Sequence, residues 1–258
     1  MKVVLQLQQL QQLHLDVGFQ EAGLLLRLSQ LTSLQRLALR YKDAEDAAAT
    51  ACVWKQLRQL QQLQLDVMGE KAHLQAIVPH AAACSALTQL QLSGCVAEEF
   101  AEARAGLASR PSITDMHIRL GCSMTPRHML WLRGFTALTC LSFDEAMGNV
   151  VDPALPALAA SLKQLRHLDL HACWLQSMEG LAAVGQLTQL TELQLEANPW
   201  LPQQGLMQLT GLTRLQRLSL DTRHLQEQDL VRELWAAVEA RGSSEVFRNL
   251  MDDLGLSP

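Results

Sequence analysis

The chain has 258 residues, 48% of them hydrophobic but only 4% aromatic, and a formal charge of −5. That acidic balance argues against a general electrostatic grip on nucleic acid or anionic lipid. No apolar run approaches the roughly 20 residues of a bilayer-spanning helix, and Val3-Val4-Leu5 is cut off by Gln6 and a Gln-Leu tract, so no signal peptide is evident.

In chain order, one phrase, L-x-x-L-x-x-L-x-L, recurs nine times. It runs through Leu7-Leu10-Leu13-Leu15, Leu31-Leu34-Leu37-Leu39 and Leu57-Leu60-Leu63-Leu65. A fourth copy holds Leu87, Leu90 and Leu92, and a worn fifth holds Ile113, Met116 and Ile118. Four more follow at Phe135-Leu138-Leu141-Phe143, Leu162-Leu165-Leu168-Leu170, Leu187-Leu190-Leu193-Leu195 and Leu212-Leu215-Leu218-Leu220. The third apolar residue of each copy recurs at steps of 24 to 27 residues. Such a period marks a solenoid, in which each repeat buries its apolar face only by stacking on its neighbours.

Within a repeat, the L-x-L alternation predicts a short strand. Between strands, residues 43–49, 98–108 and 154–162 have helical composition, the first of them opening with acids as a helix N-terminus prefers. Met116 and the preceding Pro111 predict the least regular stacking at the fifth repeat. After Leu220 the rhythm stops. Leu225, Leu230, Leu234, Trp235 and Val238 share one helical face, and Val246 to Leu254 predict a second short helix beyond Gly242-Ser243-Ser244. The expected organisation is therefore a solenoid over residues 1–224 and a helical cap over 225–258.

These repeats resemble those of leucine-rich repeat proteins, whose pattern is L-x-x-L-x-L-x-x-N/C-x-L. Leu165 to Leu175 satisfies every position, with Cys173 in the Asn/Cys slot; Leu190 to Asn198 and Leu87 to Cys95 fit through that slot. The resemblance covers roughly Leu7 to Leu225. It implies an α/β solenoid: a parallel β-sheet on the concave face, helices on the convex face, and a right-handed horseshoe or arc. Gly18, Lys42, Met68, Gly121, Ala146 and Arg223 replace Asn/Cys in the other six repeats, so those junctions need other partners. Some repeats are similar to the cysteine-containing subclass, with Gly180-Leu181 and Gly205-Leu206 seven residues after Cys173 and Asn198.

The resemblance also implies that the third, fifth and seventh slots of each repeat face the concave cavity. In the first five repeats, Arg36, Arg40 and Arg119 balance Asp16, Asp66 and Asp115. In the last four, Arg217 alone opposes Asp144, Asp169, Glu192, Glu196 and Asp221, a net of −4. With His167 and His171 these five carboxylates form the candidate partner-binding set, suited to a basic protein segment. His167, Asp169 and His171 carry metal-ligand chemistry, but on an open strand face partner contact is the stronger reading, and no metal or cofactor is expected.

No G-x-S-x-G, H-E-x-x-H, phosphate loop or G-x-G-x-x-G occurs, and His80 with Cys84 reads as helix packing. The six cysteines are scattered without a C-x-x-C pair, which predicts reduced, mostly buried thiols, Cys140 pointing outward. Trp54, Trp131, Trp174, Trp200 and Trp235 read as packing plugs, Trp200 being the most exposed. The expected role is a non-catalytic protein-interaction module or scaffold in the cytoplasm, with no nucleic-acid or membrane partner and an open question of oligomeric state. Two alternatives are the substrate-recognition arm of an F-box-type ubiquitin ligase and a structural component of the cytoskeleton or ciliary axoneme. Repeat sequence begins almost at Met1, so in the F-box case the chain would be a fragment lacking that module.

Overall fold

A computed structural model of the chain describes residues 7–17, 27–42, 51–68, 84–95, 112–120, 125–144 and 150–221, together with Glu233, Ala236 and Ala237. The chain forms two compact units, Met1–Met124 and Thr125–Pro258. In the N-terminal unit lie β1 (Gln12–Val17), β2 (Arg36–Lys42), β3 (Gln62–Met68), β4 (Gln89–Cys95) and β5 (Asp115–Leu120). All pair parallel with their sequence neighbours, so that Leu13, Leu37, Leu63, Leu90 and Met116 form one rung-to-rung row. The C-terminal unit repeats the plan with β6 (Cys140–Asp144), β7 (His167–Asp169), β8 (Glu192–Gln194) and β9 (Arg217–Ser219), aligned through Leu141, Leu168, Leu193 and Leu218.

The L-x-x-L step has a backbone cause. The N–H of the second apolar residue donates to the carbonyl of the first, as in Leu34 to Leu31, Leu138 to Phe135, Leu165 to Leu162, Leu190 to Leu187 and Leu215 to Leu212, at 2.9–3.2 Å. This 3₁₀-type turn returns the side chain to the same side every three residues. The chain then extends, and alternation turns the next two leucines inward. Nearly all of these positions are buried, from Leu31 and Leu34 in the second repeat to Leu218 and Leu220 in the ninth. Each fully buried leucine contributes roughly 1.5–3 kcal/mol.

Neighbouring repeats are also joined by a main-chain clamp at the entrance to each strand. The carbonyl of Gln11 accepts from Gln35 N and Arg36 N, that of Gln35 from Gln61 N and Gln62 N, and that of Gln61 from Thr88 N and Gln89 N. In the C-terminal unit, Thr139, Arg166 and Thr191 carbonyls each accept two N–H groups in the same way. The threonine hydroxyls of Thr88, Thr114 and Thr191 donate to the same acceptors as their own N–H groups. No side chain is needed for the clamp, which explains why Gln, Thr and Arg interchange at that slot.

The returns are best described in the C-terminal unit. A 3₁₀ turn (Asp152–Ala154) leads into a helix, Leu155–Ser161, where sequence composition predicts one over 154–162. A second helix, Met178–Val184, is followed by 3₁₀ turns over Gln203–Gly211. In the N-terminal unit a helix covers Ala51–Gln56; the expected helices at 43–49 and 98–108 lie outside the described residues. Of the C-terminal cap, Glu233, Ala236 and Ala237 are helical and the rest lies outside them. Met116 and Ile118 of the fifth repeat are fully buried, and the register shift of this sheet falls between Ser93 and Cys95, at the repeat's junction with the fourth. No helix among the described residues is long and apolar enough to cross a membrane.

Two side-chain devices lock the sixth, seventh and eighth repeats in succession. Asn198, in the Asn/Cys slot, accepts from Cys173 N (3.1 Å) and Leu175 N (3.0 Å) through Oδ1. Its Nδ2 donates to the carbonyls of Leu170, Leu195 and Glu196. Cys173 fills the equivalent slot one repeat earlier, its thiol against the carbonyls of His171 and Phe143. Asp152 is only 1% exposed, yet fully partnered: it accepts from Gln176 N, Ser177 N and Ser177 Oγ at 2.8–3.1 Å. Ser177 in turn caps the Met178–Val184 helix by accepting from Gly180 N at 2.9 Å. Gly180 is required here because a Cβ would collide with the Asp152 carboxylate, and Gly205 because a Cβ would come within 2.5 Å of Leu181 Cδ1. The paired Gly-Leu signature is thus a packing requirement of the returns.

Replacing Asn198 with Ala orphans buried groups on both repeats and is expected to cost about 3 kcal/mol, read as a lowered urea midpoint; Asn198→Cys should recover part of the loss. Gly180→Ala is expected to cost about 1–3 kcal/mol by the same measurement, through overpacking against Asp152.

Candidate functional site

Side chains of the strands that do not enter the leucine core stand on the opposite face of each sheet. In the N-terminal unit this wall is charge-balanced and partly self-paired. Asp16, Arg40 and Asp66 are directly opposite one another on adjacent strands. Arg40 Nε donates to Asp66 Oδ2 at 2.8 Å and Nη1 to Asp16 Oδ2 at 3.3 Å. The hydrogen bond to Asp66, then the charge of both carboxylates, holds the Arg40 pKa above its ordinary value. Toward the strand starts lies an open groove of about 470 Å³ lined by Gln12, His14, Arg36, Gln62, Gln64, Gln89, Gln91 and His117 over the leucine row. Its neutral glutamine amides offer hydrogen bonds, with Arg36 as a cation at the same groove. Arg40→Gln is expected to lower the melting temperature at low ionic strength, with the deficit shrinking as salt screens the carboxylates of Asp16 and Asp66.

The C-terminal unit brings the sequence-predicted residues onto one wall but gives them unequal freedom. His167, Glu192 and Arg217 are cross-strand neighbours. Nδ1 of His167 is 3.1 Å from Glu192 Oε2, and Arg217 Nη1 is 3.8 Å from the same oxygen. Asp169 is committed to the backbone and to β6: its Oδ1 accepts from His171 N at 2.9 Å and its Oδ2 from Ser142 Oγ at 3.0 Å. The first bond, spanning two residues, is a local turn that ends the strand. Asp144 is exposed and Asp221 half-buried at the two ends of the unit's wall. Glu196, exposed just beyond β8, has a carboxylate with no hydrogen bond or ion pair among the described residues. Among the described residues the unpaired carboxylate of this wall is therefore that of Glu196, just beyond a strand end, while Asp169 and Glu192 within the strands are engaged.

His167, Asp169 and His171 do not converge on a common point. Among the described residues no group of three His, Cys, Asp or Glu side chains is placed to hold a metal ion. Cys84, Cys140 and Cys173 are not in disulfides, Cys84 and Cys173 being buried and Cys140 half-buried on the wall. Trp54 and Trp131 are core plugs, Trp131 packing edge-on against Phe135 with ring centres 5.3 Å apart. Trp235 lies outside the described residues. Trp200 is 64% exposed, as its proline-flanked context predicts, but Trp174 is also 48% exposed and is not a plug. Cys173 and Leu175 take the inward positions on either side of it, which leaves the indole outside. Alternation along an extended segment carries that signal in the sequence itself.

The architecture matches solved structures. Internalin C2 from Listeria monocytogenes str. 4b F2365, a leucine-rich repeat protein, superposes with a TM-score of 0.51 at 19% identity, covering 76% of this chain and 74% of that one. The fold is a leucine-rich repeat solenoid. The structure of a TLR13-ssRNA13 complex is similar at a TM-score of 0.43 and 17% identity, over 73% of this chain and 29% of that one. No protein-family model and no curated protein sequence matches the chain. The leucine-rich repeat architecture accounts for the wall, the inward leucines and the Asn/Cys slot together.

Proposed function

We propose that the wall of the C-terminal unit is a non-catalytic docking surface for a basic protein segment. The observation that carries this reading is the charge of the wall, one arginine against five carboxylates over four strands, with Glu196 unpaired among the described residues. An open strand face lacks the enclosure that excludes water during chemistry, and favours recognition of an extended surface. One sign of charge along a rigid sheet steers a partner of the opposite sign and fixes its orientation. Asp169 and Glu192 serve the wall differently from Glu196, because their oxygens already hold a turn, a serine and a histidine. Their part is to set the shape and background field; Asp144 and Asp221 add charge at the strand ends, where the unpaired carboxylate of Glu196 takes a partner's cation.

Selection of a random displayed-peptide library on the full chain tests this. Lysine- and arginine-rich binders are expected, and the variant Asp144→Asn/Glu196→Gln/Asp221→Asn should weaken them by about tenfold at low salt while flattening the salt dependence. Recovery of neutral or acidic binders only, or unchanged affinity in the triple variant, would remove the basis of the proposal.

A further inference from the structure

We infer that Trp174, Met178 and Trp200 form an aromatic anchor at the rim of this wall, and that with Glu196 they recognise an arginine flanked by an apolar side chain. The inference rests on the docking role proposed above and names the site's energetic centre and its ligand chemistry.

Trp174 occupies a backbone position that suits glycine. Its φ is 55°, in the left-handed region that a bulky side chain rarely adopts. Ala172 and Ala197 also have positive φ, 53° and 56°, but they sit in equivalent turns of consecutive repeats and share one structural cause. Trp174 has no such equivalent, since Pro199 stands one repeat later. The unusual conformation is imposed by Asn198, whose Oδ1 accepts from the N–H groups on both sides of Trp174, those of Cys173 and Leu175. Neither the backbone nor the core asks for tryptophan here. The backbone would accept glycine more readily, and the indole is 48% exposed. Strain held in place by its surroundings at an exposed aromatic points to a binding role.

The same residue, Asn198, closes the turn that carries the second indole. Leu201 N donates to the Asn198 carbonyl at 3.1 Å, closing a turn whose tip is Pro199-Trp200. Trp200 is 64% exposed at that tip. One buried residue thus fixes the backbone beneath both aromatic side chains, so little backbone order remains to be lost on binding. Met178, 43% exposed, lies against Gly205 in the next return and adds an adaptable apolar surface on the same two repeats. Of the four large hydrophobic side chains exposed among the described residues, these are three; the other is Leu7.

Charge selects the occupant. Glu196 stands two residues before Asn198, and its carbonyl accepts from Ala172 N at 3.0 Å, so its open carboxylate belongs to the same strand ends as both tryptophans. A guanidinium satisfies both features: it stacks on an indole face and bonds a carboxylate with two parallel N–H groups. An ammonium supplies the charge without the planar match.

The test uses peptides recovered from the displayed library on the full chain, labelled and measured by fluorescence anisotropy. Binders are expected to pair arginine with a leucine or aromatic neighbour. Trp174→Ala and Trp200→Ala should each weaken them at least about tenfold, and arginine-to-lysine exchange in the peptide should do the same. Trp174→Gly separates recognition from folding: its thermal midpoint should equal or exceed that of the native chain while binding is lost. If Trp174→Ala/Trp200→Ala binds unchanged while the charge-neutralised triple variant does not, the anchor is refuted and the basic docking surface stands. If no basic peptide is recovered, both fail. A dimer that dissociates in Trp174→Ala/Trp200→Ala by sedimentation would assign the patch to self-association and overturn the inference.

Discussion

A leucine at the centre of one repeat has too little apolar surface around it to leave water unless the next repeat lies against it. Everything else in the molecule follows from that dependence. The strand must be parallel and in register with its neighbour, because a shift of one residue would turn the inward leucines out. The return must be long enough to bring the chain back by one strand spacing, which sets the step of 24 to 27 residues. The polar wall is then the residual face of the sheet, and its composition is free to serve recognition.

This division of labour explains what was legible in the sequence. The nine strand positions could be read directly, because alternation at L-x-L and the rung-to-rung row through Leu13, Leu37, Leu63 and their successors are the same constraint seen twice. The helix at Leu155–Ser161 was legible from composition within a residue of its ends. The three-residue leucine step reads ambiguously in isolation, since a helix would also place such side chains on one face. Its actual cause is a 3₁₀ hydrogen bond, which no side-chain pattern distinguishes from an α-helical one.

The site was legible only as a charge tally. Counting slots identified the acidic wall, yet not that Asp169 and Glu192 are engaged within it while Glu196 is open. The Ser142–Asp169 and His167–Glu192 contacts join residues 27 and 25 positions apart, across the ladder. The role of Asp152 leaves no sequence signal for the same reason: its donors belong to Gln176 and Ser177, on the following repeat. Trp174 is different. Its place in a return suggests a packing role, but its outward direction follows from the buried Cys173 and Leu175 beside it.

The carbonyl clamp between successive strands has an evolutionary corollary. Because peptide groups suffice to form it, an added copy of a repeat meets its neighbours through the same main-chain bonds whatever its side chains are. Array length can therefore grow or shrink by duplication and deletion of whole repeats with little penalty at the seams. The Asn198 crosslink, which ties two particular repeats through named atoms, cannot be interrupted by such an event without being broken. Lineages carrying this chain should differ in how many repeats they have while keeping the seventh and eighth adjacent.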